Sequence, residues 1–285
     1  MRIDTLLAAG LTRSFEFFPP KSDDEARVLD TTLADLVPLS PSFVSVTYRG
    51  GTESRQRTFD LVTRIQHDGA MTAMAHLICV GHTRAAMADV LARYAAAGVE
   101  NVMALGGDVP DDGSNVSSDF AHAIDLVELA REVGDFAVGV AAHPLGHPRS
   151  ANRTDDRRHL AEKLALADFA VTQFFFRADE WSRLVEELAE LGVHKPVLPG
   201  IMPVTTLSSV KRMSLMGAAV PDELVDRLNA AHEAGGSTAV RAAGIEAATA
   251  LSRELLTRGA PGLHFYTLNR STATREIHRA LFEVR

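Results

Sequence analysis

The chain has 285 residues, of which 46% are hydrophobic, and a formal net charge of −8 at pH 7. This acidic balance, a pI near 5.8 and the lack of any Lys/Arg block exclude a broad nucleic-acid surface, so an anionic ligand must be met by local basic residues. Cys79 is the only cysteine, which excludes an intrachain disulfide and points to a reducing compartment. No stretch has signal-peptide character or approaches the roughly 18 apolar residues of a bilayer span, so a cytoplasmic protein with no membrane partner is expected.

Along the chain, short β-rich runs alternate with Ala/Leu/Glu/Arg-rich segments at helical spacing. The first run, residues 13–17, lies in SFEFFPPK and carries Glu16 among phenylalanines. A buried carboxylate without a partner costs several kcal/mol, so Glu16 is either a paired strand-edge group or a functional one. A helix over 22–37 follows, opened by a Ser-x-x-Glu capping pattern at Ser22 and Glu25. Strands are then predicted at 43–47, 72–78, 99–105, 136–142, 169–175, 196–200 and 262–266. The intervening helices include 83–97, 119–133, 179–191 and 238–258, with one or two more within 206–236. Eight strands interleaved with helices predict an α/β fold: a single (β/α)8 TIM barrel, one domain over 1–285, with extra helices before the last strand.

In such a barrel the chemistry sits where the strands end. Glu16, Thr47 with Tyr48, His76, Asp108, His143 with His147, Gln173, and Asn269 with Arg270 all fall there, delivered by seven of the eight predicted strands. Each has a plain structural reading. His76 suits a hydrogen-bonded core histidine, Gln173 a plug between barrel layers, and Asp108 in GGDVP a turn former. His143 and His147 have a helical metal-ligand spacing, but the prolines of HPLGHP oppose a helix, so no metal is expected. Independent accidents would not all choose one end of a barrel, which favours a functional face. The glycine pairs Gly50/Gly51 and Gly106/Gly107 allow close backbone approach to a ligand but form no dinucleotide or P-loop fingerprint.

The strings SFEFFPPK, FVSVTY, AHLIC, ALGGDVP, VAAHPLGHP, VTQFFF, LPGIMPV and HFYTLNR span almost the whole chain in this order. Together they resemble the methylenetetrahydrofolate reductase family. The resemblance implies a (β/α)8 barrel that reduces 5,10-methylenetetrahydrofolate to 5-methyltetrahydrofolate with a nicotinamide cofactor, normally through bound FAD. It implies Glu16 as the general acid that protonates N10 when the substrate ring opens to a 5-iminium cation. By the same resemblance Asp108 meets the pterin and stabilises that cation, Gln173 hydrogen-bonds the pterin, and Arg270 faces the folate tail. Thr47 and His76 match positions lining the flavin and substrate pocket; His147, Asp156 and Lys163 match flavin-site positions, and His143 stands at a usually aromatic one.

The departures from the family pattern cluster at the flavin. Gly106 stands where an arginine usually faces the FAD phosphates, His159 replaces an asparagine, Glu162 a basic residue, and Arg49 a glycine. A glutamate near a pyrophosphate is electrostatically unfavourable. LALAD is one residue short of the usual Ala-Gly-Ala turn, a Tyr-Ala pair is replaced at Val116, Ser117 and Ser118, and Met213 takes a position whose aromatic ring can stack on nicotinamide. These differences predict retained folate chemistry with FAD binding weak or absent, and hydride passing directly from NADH, or NADPH, to the iminium carbon. The alternative is a pterin-binding barrel of methyltransferase or non-redox type.

Overall fold

The computed structural model describes residues 1–48, 52–107 and 118–283. Eight parallel strands close into a barrel in sequence order: β1 (Thr12–Phe17), β2 (Phe43–Val46), β3 (Ala73–Ile78), β4 (Asn101–Leu105), β5 (Ala137–Ala142), β6 (Phe169–Phe174), β7 (Val197–Ile201) and β8 (Gly262–Tyr266). Around them run α1 (Ile3–Ala9), α2 (Asp23–Leu36), α3 (Thr52–Asp68), α4 (Arg84–Ala96), α5 (Ala123–Val133), α6 (Arg153–Leu166), α7 (Ala178–Glu190), α8 (Leu207–Leu215), α9 (Asp222–Thr257) and α10 (Thr272–Phe282). The expected (β/α)8 barrel is the observed one, with α8 and α9 as the extra helices before β8. Among the described residues no helix is long and apolar enough to cross a membrane.

The period-2 alternation of each strand sorts its residues into two cores. Phe15, Phe17, Val44, Val46, Val102, Val138 and Phe265 face outward and pack under the helices. Phe43, Met74, Met103, Phe169, Val171 and Leu198 point inward, and Ile3 and Leu7 of α1 join them. That helix stoppers the N-terminal end of the barrel. Asn101 holds it there, accepting from the Ile3 amide at 2.8 Å and donating to the Met1 carbonyl at 3.1 Å. With one end filled by apolar groups, polar inward-facing residues collect at the other.

Local chemistry accounts for the element ends. Ser22 caps α2 by accepting from the Glu25 amide, while the Glu25 carboxylate reaches one residue further back, to the Lys21 amide at 2.7 Å. The helix predicted from 119 starts later, at Ala123. Asp119 is taken by the start of α4, its carboxylate accepting from the Arg84 amide at 2.9 Å, and Asp125 instead caps α5 at the His122 amide. Helix α9 is broken at Gly235 and Gly236, the latter with φ 63°, a left-handed conformation that glycine adopts without steric cost. The break separates the predicted 238–258 helix from the segment before it. Met213 of α8 is buried with Phe174, Met202 and Leu228 beneath these helices. Its side chain is packing material there, at the position where the resemblance places an aromatic ring in other family members.

Candidate active site

Glu16 is the next-to-last residue of β1, in register with Ser45 on one side and Tyr266 on the other. Strand alternation turns it inward, above the apolar floor, where it keeps 9% of its surface exposed. Its Oε2 lies 3.5 Å from Ser45 Oγ, 3.5 Å from His264 Nε2 and 3.6 Å from His76 Nε2. No Lys or Arg among the described residues pairs with it. Two buried polar atoms nearby in the fold, Thr47 Oγ1 and His76 Nε2, have no hydrogen-bond partner. Buried polar atoms are rarely left orphaned, and those that are deserve a functional explanation. Burial pushes the His76 imidazole below the usual histidine value, Glu16 pulling the other way. The ring is therefore neutral near pH 7.

The end of β8 fixes the backbone around this carboxyl. Thr267 Oγ1 donates to the Glu16 carbonyl at 2.6 Å, and the Asn269 carboxamide pairs with both the amide and the carbonyl of Phe18, at 2.8 and 2.9 Å. Asn269 thus prolongs the β1–β8 ladder with a side chain. Leu268 and Asn269 both have positive φ, 51° and 57°, a conformation that costs a non-glycine residue about 1–3 kcal/mol and concentrates at functional sites. Arg270, expected at the folate tail, is exposed just beyond them. Tyr266 crosses the barrel mouth and donates from its hydroxyl to the Thr172 carbonyl at 2.6 Å. Gly200 makes room: a Cβ there would meet the Thr172 oxygen at 2.3 Å and the tyrosine ring at 2.5 Å. Burial first, then Glu16, hold this phenol well above its ordinary value, so it stays a neutral wall of the site.

His264, Tyr266 and Ser45 were not among the expected site residues. The signal for them was present in the alternation, as polar residues two apart on neighbouring strands: Ser14/Glu16, Ser45/Thr47 and His264/Tyr266. Asp108 and Arg49, by contrast, lie outside the described residues, as do Val116 and Ser117.

The sequence model for methylenetetrahydrofolate reductase matches residues 2–281. The chain belongs to the methylenetetrahydrofolate reductase family. The 5,10-methylenetetrahydrofolate reductase of Pectobacterium carotovorum subsp. carotovorum is 32% identical over 94% of this chain and 89% of its own length. That of Escherichia coli (strain K12) is 31% identical over 94% and 90%. Methylenetetrahydrofolate reductase (NADH) 1 of Arabidopsis thaliana is 33% identical over 90% of this chain, which spans 46% of that longer protein. Among solved structures, a Clostridium thermocellum protein that binds two copies of 5-methyl-5,6,7,8-tetrahydrofolic acid shares the fold with a TM-score of 0.71, covering 97% of this chain and 96% of that one at 12% identity.

On the β4–β6 side of this reductase-family barrel, the groups expected at a flavin are engaged with the protein itself. Asp156 of α6 accepts from the His147 amide at 3.0 Å and from Ser150 Oγ at 3.3 Å, and pairs with Arg157 at 2.5 Å. Arg157 is almost fully buried; it also donates to the carbonyls of His143 and Pro144 and to Glu187. Together they tie down the loop after β5. Lys163 Nζ donates to the Ala141 carbonyl at 3.2 Å, and burial lowers its pKa despite the pull of Asp156. His143 and His147 stack edge to face at 4.6 Å, and burial, then His147, press the His143 pKa down to about 4. His159 and Glu162 are exposed on α6. Gln173 donates to the Met216 carbonyl at 3.2 Å and accepts from the Phe174 amide at 3.0 Å, which leaves one amide hydrogen and one lone pair for a ligand.

Proposed function

We propose that the protein, acting as one reductase unit in a reducing cytoplasm, reduces 5,10-methylenetetrahydrofolate to 5-methyltetrahydrofolate with NAD(P)H, and does so by direct hydride transfer. The observation that carries this reading is the inward-facing Glu16, buried beside neutral His76 with no Lys or Arg among the described residues paired to it, at the open end of the barrel above its apolar floor. A carboxyl group in such a setting is suited to delivering a proton.

Glu16 gives its proton to N10, and the electrons of the breaking C–N10 bond stay on N10. The methylene carbon becomes the 5-iminium carbon. Hydride from C4 of the dihydronicotinamide then adds to it, leaving 5-methyltetrahydrofolate and oxidised nicotinamide. Asp108 is assigned to stabilise the iminium charge, Gln173 to hold the pterin through its remaining donor and acceptor, and Arg270 to meet the carboxylates of the folate tail. Thr47 and His76, with their unpartnered buried atoms, are assigned to line the substrate pocket.

The residues expected to hold FAD do not fit that group. Asp156 and Lys163 are committed to the β5 loop and the Ala141 carbonyl, Gly106 supplies no cation, and Glu162 places a carboxylate on the helix meant to face a pyrophosphate. No step is therefore routed through flavin, and both substrates must bind together. Purified protein is expected to be colourless, to release no FAD on denaturation, and to give intersecting double-reciprocal lines. A yellow protein with parallel lines would overturn the direct route and leave the folate chemistry standing.

A further inference from the structure

The proposed reaction uses Glu16 but not the two groups behind it, Ser14 and His264. Both are almost completely buried, and β1 and β8 hold them in register. Ser14 Oγ donates to the Leu263 carbonyl at 3.3 Å and lies 2.8 Å from His264 Nδ1. A hydroxyl has one proton. With that proton on the carbonyl, Ser14 Oγ can only accept from His264, so Nδ1 carries a hydrogen. The other ring nitrogen of a neutral imidazole is then a lone pair, and it faces Glu16 Oε2 at 3.5 Å. A lone pair and a carboxylate oxygen repel unless a proton lies between them.

The remaining surroundings act in the same sense. From β3, His76 is a neutral ring whose Nε2, 3.6 Å from the same oxygen, has no partner. From β2, Ser45 supplies one hydroxyl. Tyr266 of β8 has its proton on the Thr172 carbonyl. No described Lys or Arg offsets an ionised carboxylate here, and leaving one unpaired in a buried site is costly.

We propose that His264, held by Ser14 in its Nδ1–H form, is a positioning residue that keeps the acid proton on the Glu16–His264 pair. The inference rests on the reductase reading and adds to it how the acid is kept loaded. When Glu16 passes its proton to N10, the carboxylate left behind is supported by the Ser45 hydroxyl, and water returns a proton to the pair after product leaves. The 3.5 Å separation is long for a hydrogen bond, and catalytic hydrogen bonds of this kind commonly tighten when substrate binds.

The opposite arrangement turns the Ser14 hydroxyl toward Nδ1, so that Nε2–H donates to an ionised Glu16. The two differ in a directly readable property, the histidine tautomer. Long-range 1H–15N correlation spectra of wild-type protein labelled at histidine, with His264 assigned by its loss in His264→Gln, are expected to show hydrogen on Nδ1. In Ser14→Ala the ring is released and the Nε2–H form grows. The alkaline limb of kcat then moves about one pH unit lower, and kcat at alkaline pH falls about tenfold, while KM for the folate is unchanged. Ser14→Thr, which keeps the hydroxyl, is expected to retain the wild-type profile. Hydrogen on Nε2 in the wild type, or an unshifted pH profile in a folded Ser14→Ala, overturns the proposal. A wild-type protein that does not turn over instead overturns the reductase reading, and its tautomer is still decided by the spectra.

Discussion

The two sides of the barrel mouth use the same kinds of residue to opposite ends. Around Glu16, two buried polar atoms, Thr47 Oγ1 just after β2 and His76 Nε2 of β3, are left without a hydrogen-bond partner, the latter 3.6 Å from the Glu16 carboxyl. Around Asp156, on β5 and α6, nearly every polar group is satisfied by the protein. A carboxylate that already accepts from an amide, a hydroxyl and a guanidinium has little left for a ligand, whereas an orphaned buried nitrogen loses free energy until something binds it. The contrast agrees with the proposed reading, in which chemistry belongs to the first side and loop anchoring to the second.

The sharpest way to break that contrast is to exchange one atom on each side. Glu16→Gln keeps the shape and removes the proton donor. It is expected to lower kcat for methylenetetrahydrofolate-dependent NADH oxidation by about 10²–10⁴-fold, the usual contribution of a general acid. Thermal stability is expected to change little, because the glutamine amide can still meet Ser45 and the two histidines. Full activity in the variant would remove Glu16 from the mechanism.

On the other side the expected loss is in stability. Arg157→Met leaves Asp156 as a buried charge without its cation and removes the donors to the His143 and Pro144 carbonyls. Breaking a buried pair in this way costs about 3–5 kcal/mol, read as a lower denaturant midpoint. A destabilisation below about 1 kcal/mol would mean that the pair is effectively solvated, as surface pairs are. The Asp156 side would then be less committed than its geometry implies.

How far the sequence foretold this division depended on the range of the forces involved. Strand order and most strand ends were legible because alternation and capping are local, as at Ser22 and the run from Phe15 to Phe17. Glu16 stood out because a charge among phenylalanines violates the local pattern. His264 did not, since a histidine inside HFYTLNR violates nothing until β8 closes against β1 and sets it beside Ser14. Asp156 and Lys163 matched flavin positions by their place in the chain. Their engagement with His147, Ser150 and Ala141 follows from how the β5 loop folds onto α6, which spacing does not encode. The burial of Met213 was hidden for a similar reason, since it follows from packing against Phe174, Met202 and Leu228, which lie outside its own helix.

The smallest expected effect tests whether the loop side is a packed structure in its own right. His143 titrates at about 4 in the folded protein against an ordinary 6.5, chiefly because it is buried. A base with a depressed pKa binds its proton more readily when the chain unfolds. Its contribution to stability is therefore complete above 6.5 and is lost as the pH falls from 6.5 toward about 4. His76, His82 and His278 are lowered by burial as well and slope the same way, so the wild-type curve alone cannot isolate one ring. Comparison with His143→Phe does, since phenylalanine keeps an aromatic partner for His147 and does not titrate. The variant is expected to match the wild type within about 1 kcal/mol at neutral pH and to lose less stability in urea titrations as the medium is acidified. Parallel curves for the two proteins would show that water reaches His143 freely, and the β5 loop would then be open enough to receive a ligand after all.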